Sequence, residues 1–342
     1  MAKHSDLPAY DYATFPREFV LYRWWKPLIV GLLTFVFMIV FQMGVILAAA
    51  LAANDPSMLD GVSTSYDTMN PFTGPGALGE LGSVAAMLPA LALAVLIVRD
   101  RPFSSLSSSR GGWNWKAFAK CIGIAIPIYL IAMPIEILVF PSGSADGIVR
   151  FTLIGFIVCT IITPLQCVAE EYVFRGFILQ TVGSWTKLPA VGIVVAAIAF
   201  AAGHPYNTIG VVSILINGLI WGYVVWKTKG LEASSAIHIV NNLAGFYIAG
   251  LGIESLTSEV NVASFVITII IDVVYAVAVL HLGKRNGWFE PTADGAAAFN
   301  QKKLEKMARK SGRAAIPTAD VPVAEPVNPQ RDSDQRGQSP LV

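Results

Sequence analysis

Residues 151–179 read FTLIGFIVCTIITPLQCVAEEYVFRGFIL. The run exceeds the ~20 apolar residues that a membrane-spanning helix needs. Inside it stand Glu170, Glu171 and Arg175. At mid-depth in lipid each such charge costs about 2.5–3.5 kcal/mol on the translocon scale. A chain that keeps three of them so close together has a use for them. On a helix Glu171 and Arg175 are four residues apart and share a face, with the acid ahead of the base, the better orientation. Glu170 lies about 100° round from Glu171 and points elsewhere.

Outward from this stretch the chain keeps the same character. Hydrophobic residues make up 54% and charged residues 14%, against ~25% charged in soluble domains, and the mean hydropathy is +0.60. Long apolar runs recur from Pro27 to His281. The sequence therefore predicts an all-α, polytopic membrane helical bundle. About eight transmembrane helices are expected, over 27–53, 76–98, 115–140, 151–179, 189–206, 208–226, 231–252 and 260–283. Pro127 and Pro134 are expected to kink the third span and Pro164 the fourth. The first apolar run is too long for the core of a signal peptide and is expected to stay as an anchor. Cys121, Cys159 and Cys167 lie in apolar segments without a CxxC pair, so no disulfide framework or structural zinc site is expected. Nothing points to a nucleic-acid partner.

Lys and Arg sit in alternate loops, which predicts both termini on the cytoplasmic side. Lys3, Arg17, Arg23 and Lys26 precede the first span. The next loop holds Asp55, Asp60 and Asp67 and no Lys or Arg. Seven tryptophans, among them Trp24, Trp113, Trp185 and Trp226, lie near span ends on the basic side, as an aromatic belt does. The expected division is a cytoplasmic segment at 1–26, a membrane domain at 27–283 and a tail at 284–342. Within that tail 299–310 fits a short basic helix, on an anionic leaflet or in solvent, and the chain beyond Pro317 has a disordered composition.

The ionisable residues inside the spans are Glu80, Glu136, Glu170, Glu171, Arg175, His204, Glu232, His238, Asp272 and His281, with Asn217, Asn241 and Asn242 as further polar groups. Three clusters stand out by spacing: Glu170-Glu171 with Arg175, Phe200 four before His204, and His238 four before Asn242. If the helices converge, they bring a carboxylate, two imidazoles and an amide into one dry pocket, the material of general-base and oxyanion chemistry. Each also has a structural reading, as a helix-locking ion pair, an interhelical hydrogen bonder or membrane helix glue. Glu136 and Asp272 have no motif partner and read as interhelical contacts.

In this order and spacing the clusters resemble the motifs of the CAAX-protease and bacteriocin-processing (ABI) family of intramembrane glutamate proteases: Glu-Glu-x-x-x-Arg, Phe-x-x-x-His and His-x-x-x-Asn. Gly176 after the arginine is also typical. The resemblance covers about residues 115–250, and the eight-helix plan is similar to that of its type II CAAX prenyl endopeptidases. It implies an intramembrane endopeptidase in a cell membrane, bacterial by its simple loops. The substrate would be a membrane-associated or lipidated peptide. Glu170, assisted by His204, would activate the attacking water. Glu171 would orient the site with Arg175 as its structural partner. His238 and Asn242 would bind the oxyanion. No cofactor is implied.

Alternatives stay open at this level. Glu170, His204 and His238 with a water make a zinc ligand set, although no HExxH is present. A non-proteolytic regulatory or immunity-type protein on the same scaffold, and a transporter with a proton relay, use the same buried charges. Depth is an obstacle to any shared site. With the fourth span ending at 179 and the fifth starting at Pro189, His204 lies ~20 Å from Glu170 along the membrane normal. A segment 177–188 that stays partly embedded is one way to remove the gap.

Overall fold

The computed structural model describes residues 7–59, 69–139, 150–254 and 259–310. The expectations placed on Lys3, Asp60, Asp67 and the chain beyond Pro317 fall outside them. The fold is all-helical, and among the described residues there is no strand, only a bridge between Ser108 and Gly230. In order the helices are α1 (Lys26–Ala53), α2 (Gly74–Ala85), α3 (Met87–Val98), α4 (Trp115–Val139) and α5 (Leu153–Glu171). A π-helical stretch, Tyr172–Ile178, joins α5 to α6 (Leu179–Thr186). Then follow α7 (Pro189–Ala202), α8 (Thr208–Thr228), α9 (Glu232–Gly250), α10 (Val262–Arg285) and α11 (Ala297–Lys310).

All eight expected spans are helical, but six helical stretches are long and apolar enough to cross a membrane: 26–53, 74–98, 115–139, 153–186, 208–228 and 262–285. The second is interrupted at Ala86, where α2 gives way to α3. α7 is a shorter apolar helix of 14 residues. α9 is long enough, yet it carries Glu232, Ser234, Ser235, His238, Asn241 and Asn242. This polar helix is shielded by its neighbours instead of facing lipid. It packs on α4 and α5, with α8 against its other flank. Around it the usual distribution of side chains is inverted. Leu32, Leu130 and Leu138 are 64%, 70% and 81% exposed, while Glu171, Arg175, Glu232 and Asp272 are at 0%. Apolar outside and charged inside is what hydrocarbon demands, and the chain is a multi-pass membrane protein.

Two devices hold the polar helix and its neighbours in place. Arg110 donates from Nη2 to Glu232 Oε2 at 2.6 Å, and the Asn114 backbone N–H donates to Glu232 Oε1 at 2.8 Å. This buried pair pins the start of α9 to the loop before α4. The second device is close approach through glycine. A Cβ on Gly218 would stand 2.9 Å from the Ala197 Cβ, and one on Gly192 2.6 Å from the Leu179 carbonyl oxygen. Small residues thus let α7 lie directly on α8 and on α6.

The residues before α1 are also held. Tyr12 and Phe15 are buried, and the Tyr12 hydroxyl donates to the Leu106 carbonyl at 2.5 Å. Pro127 and Pro134 lie inside α4 and Pro164 inside α5.

Candidate active site

The acidic pair sits where α5 passes into the π-helical stretch. The wider turn begins at Tyr172, directly after Glu171. Such local widening recurs at functional sites. Here it leaves Arg175 facing back to its acid, Nη1 donating to Glu171 Oε1 at 3.1 Å. Both residues are fully buried. The ion pair expected from the i,i+4 spacing is therefore present.

Glu170 has partners of its own. His238, from α9, lies between the two acids. Its Nδ1 is 3.0 Å from Glu171 Oε1 and its Nε2 is 3.3 Å from Glu170 Oε2. The Gln166 side-chain amide donates to the same Glu170 oxygen at 2.7 Å. Each ring nitrogen of His238 thus faces a carboxylate.

His204 reaches the same level because the fourth span does not end at 179. The helix runs on through α6 to Thr186, turns at Lys187 in a left-handed conformation (φ 59°) and returns as α7. At 1.5 Å per residue Glu170 stands about 24 Å before that end, and His204 about 22 Å after Pro189. The two antiparallel lengths nearly match, so the 20 Å gap closes. Phe174 and Phe200 mark the register, with ring centroids 5.1 Å apart. Segment 177–186 is helix that continues the span.

Phe200 links the three clusters. Its ring lies 4.0 Å from the Arg175 guanidinium carbon, 4.6 Å from the His204 ring and 5.9 Å from the His238 ring. His204 Nδ1 is 2.7 Å from the Phe200 carbonyl oxygen. A carbonyl only accepts, so Nδ1 carries the hydrogen, and in the neutral ring Nε2 is the acceptor. None of the described hydrogen bonds joins His204 to Glu170.

Asn242 donates from Nδ2 to Gln166 Oε1 at 3.2 Å and accepts at Oδ1 from Asn241 Nδ2 at 2.9 Å. Asp272, set aside in the sequence, is an interhelical contact with a further consequence. It accepts from Trp221 Nε1 at 2.8 Å, and the Asn217 amide, its nitrogen facing the acid, donates to it at 2.7 Å. The Trp221 ring is in turn 5.0 Å from the His238 ring and 5.5 Å from the Arg175 guanidinium. Glu232 belongs to the Arg110 pair, Glu136 is half-buried and His281 is exposed.

Of the proposed zinc set, Glu170 and His238 are within hydrogen-bonding distance, and His204 is bound to its own helix. Among the described residues no group of three His, Cys, Asp or Glu side chains is arranged to hold a metal ion.

Gln166 and Trp221 are the residues the spacing argument missed as members of the site. Gln166 stands four residues before Glu170, the spacing that was read for Glu171 and Arg175 but not carried one turn back.

Set against known proteins, residues 150–244 match the family described as type II CAAX prenyl endopeptidase Rce1-like. The uncharacterized protein YyaK of Bacillus subtilis (strain 168) is 30% identical over 168 residues, which are 46% of this chain and 55% of that protein. The chain thus spans about half the length of this curated relative. No solved structure matches. The matched stretch opens just ahead of α5 and closes two residues beyond Asn242, so all three motifs lie in the part of the chain that is similar to the Rce1-like family of type II CAAX prenyl endopeptidases.

Proposed function

We propose that this chain is an intramembrane endopeptidase that cleaves a membrane-associated, lipidated peptide with water. The observation that carries the reading is the Glu170–His238–Glu171–Arg175 cluster. It is buried in a membrane bundle, with the His204 motif brought against it through Phe200. Such a cluster is costly to bury, and the family match gives it a use.

In the mechanism Glu170 takes a proton from a water held between it and His204 Nε2. The hydroxide adds to the scissile carbonyl carbon. The oxyanion takes a hydrogen bond from the Asn242 amide, and the proton passes to the leaving amine as the C–N bond breaks. A positioned general base contributes about 10²–10⁴-fold, and one oxyanion donor about 10²–10³-fold in kcat. Glu171, neutralised by Arg175, holds His238, which holds Glu170. No metal takes part. The enzyme works in a cell membrane with both termini cytoplasmic, and its partners are the bilayer and the peptide.

The test uses full-length protein in liposomes and a quenched-fluorescent peptide ending in S-farnesylcysteine and three apolar residues. Glu170→Ala and His204→Ala each abolish cleavage while the protein stays in the membrane. The chelator 1,10-phenanthroline leaves the wild-type rate unchanged. Cleavage retained in either variant overturns the mechanism; loss of activity to the chelator revives the zinc reading with Glu170, His204 and His238.

A further inference from the structure

A chain of four hydrogen bonds leads from α4 through α9 to Glu170. The Tyr129 hydroxyl donates to Asn241 Oδ1 at 2.8 Å. Asn241 Nδ2 donates to Asn242 Oδ1 at 2.9 Å. Asn242 Nδ2 donates to Gln166 Oε1 at 3.2 Å. Gln166 Nε2 donates to Glu170 Oε2 at 2.7 Å. Tyr129, Gln166 and Glu170 are buried and the two asparagines half-buried. The Cys167 thiol also lies 3.4 Å from Gln166 Oε1.

All four bonds run in one sense, and the end of the chain explains why. An ionised carboxylate only accepts. Gln166 must therefore turn its N–H to Glu170, which leaves its oxygen to face Asn242. Asn242 must then present N–H to Gln166 and oxygen to Asn241. The same rule turns Asn241 and leaves the Tyr129 hydroxyl as the final donor. Glu170 thus sets the polarity of every amide between itself and α4. An amide has two N–H groups on one nitrogen, and Asn242 spends one of them on Gln166. The second belongs to the same nitrogen, so the relay keeps a donor on the side of Asn242 that a developing oxyanion needs. A reversed Asn242 would present its carbonyl oxygen there and repel the charge.

We infer that Gln166 is a positioning residue, the link through which the base Glu170 and the amide of Asn242 are held at fixed separation and in the correct sense, with Asn241 and Tyr129 as the far anchor. The inference rests on the peptidase reading above. Gln166 touches neither water nor peptide in this scheme; it acts through the two groups that do.

Glu170→Ala and wild type serve as references in the liposome assay. Gln166→Met keeps the side-chain length and removes both bonds. Its kcat falls by about 10- to 100-fold, the scale of a small misplacement of reacting groups, while KM stays within about 2-fold. Tyr129→Phe lowers kcat several-fold alone and adds almost nothing in the Gln166→Met background, because a chain already cut cannot be cut again. A merely structural Gln166 would lower the amount of folded protein and its Tm, leave kcat per folded molecule unchanged and give additive effects with Tyr129→Phe. Wild-type kcat in Gln166→Met, or an additive cycle, overturns the positioning role alone. Wild type that cleaves no better than Glu170→Ala removes the peptidase reading, and the positioning role with it.

Discussion

Arg175 is a fully buried cation with one hydrogen bond, to Glu171, and two aromatic faces, Phe200 at 4.0 Å and Trp221 at 5.5 Å. Cation–π contact is worth up to about 2 kcal/mol when desolvated, so the rings do part of what water would do. A lysine at 175 would keep the charge but lose the flat guanidinium that lies over Phe200. Arg175→Met leaves Glu171 as a buried, uncompensated acid and destabilises the protein by about 3–5 kcal/mol. Thermal unfolding in detergent reads this, and Glu171→Gln added to Arg175→Met restores part of it. Single residues were legible where both partners lie on one helix. The four-residue spacing announced Glu171–Arg175. It could not announce that His238 would stand between Glu170 and Glu171, or that Asp272 would steady Trp221 against His238. Those partners come from separate helices, and only packing brings them together.

At the scale of elements, the length of one helix decides whether there is a site. The apolar run fades after Leu179, and Gln180, Thr181 and Ser184 read as an exit from lipid. They are instead buried in protein. Gln180 accepts from Arg101 at 2.7 Å and donates to the Ser105 carbonyl at 3.0 Å. Hydropathy cannot tell a polar residue leaving lipid from one entering a protein interior, so the span looked short and His204 looked out of reach. The existence and type of the long helices were plain from apolar runs; their ends depended on such contacts. The hairpin of α6 and α7 then fixes the register of Phe174 and Phe200 through Gly192. Gly192→Val puts carbon against the Leu179 carbonyl and forces α7 off α6. Overpacking of this kind costs about 1–3 kcal/mol, and here it also moves His204. The expected result is a fall in kcat of at least about 10-fold in protein that still inserts, measured in the liposome assay.

Among the described residues, two separate buried places each hold a carboxylate–guanidinium ion pair. One is the site. The other is the Arg110–Glu232 pair at the start of α9, 2.6 Å between Nη2 and Oε2. A chain that buries two ion pairs in a lipid-clad bundle depends on each having its partner. Arg110→Met therefore destabilises by about 3–5 kcal/mol, and because Glu232 lies outside the proposed catalytic cluster, kcat per folded molecule changes little. Tm in detergent together with turnover of the folded fraction separates the two effects.

The fourteen residues of α7 have a consequence for the bilayer itself. They give a rise of about 21 Å, some 9 Å less than a typical hydrocarbon core. Hydrophobic mismatch of this size is met by thinning of the lipid alongside or by water descending to the helix end. That end leads straight to His204. The annulus of lipid beside α7 thus becomes a part of the proposed enzyme, and acyl-chain length a setting on how wet His204 is.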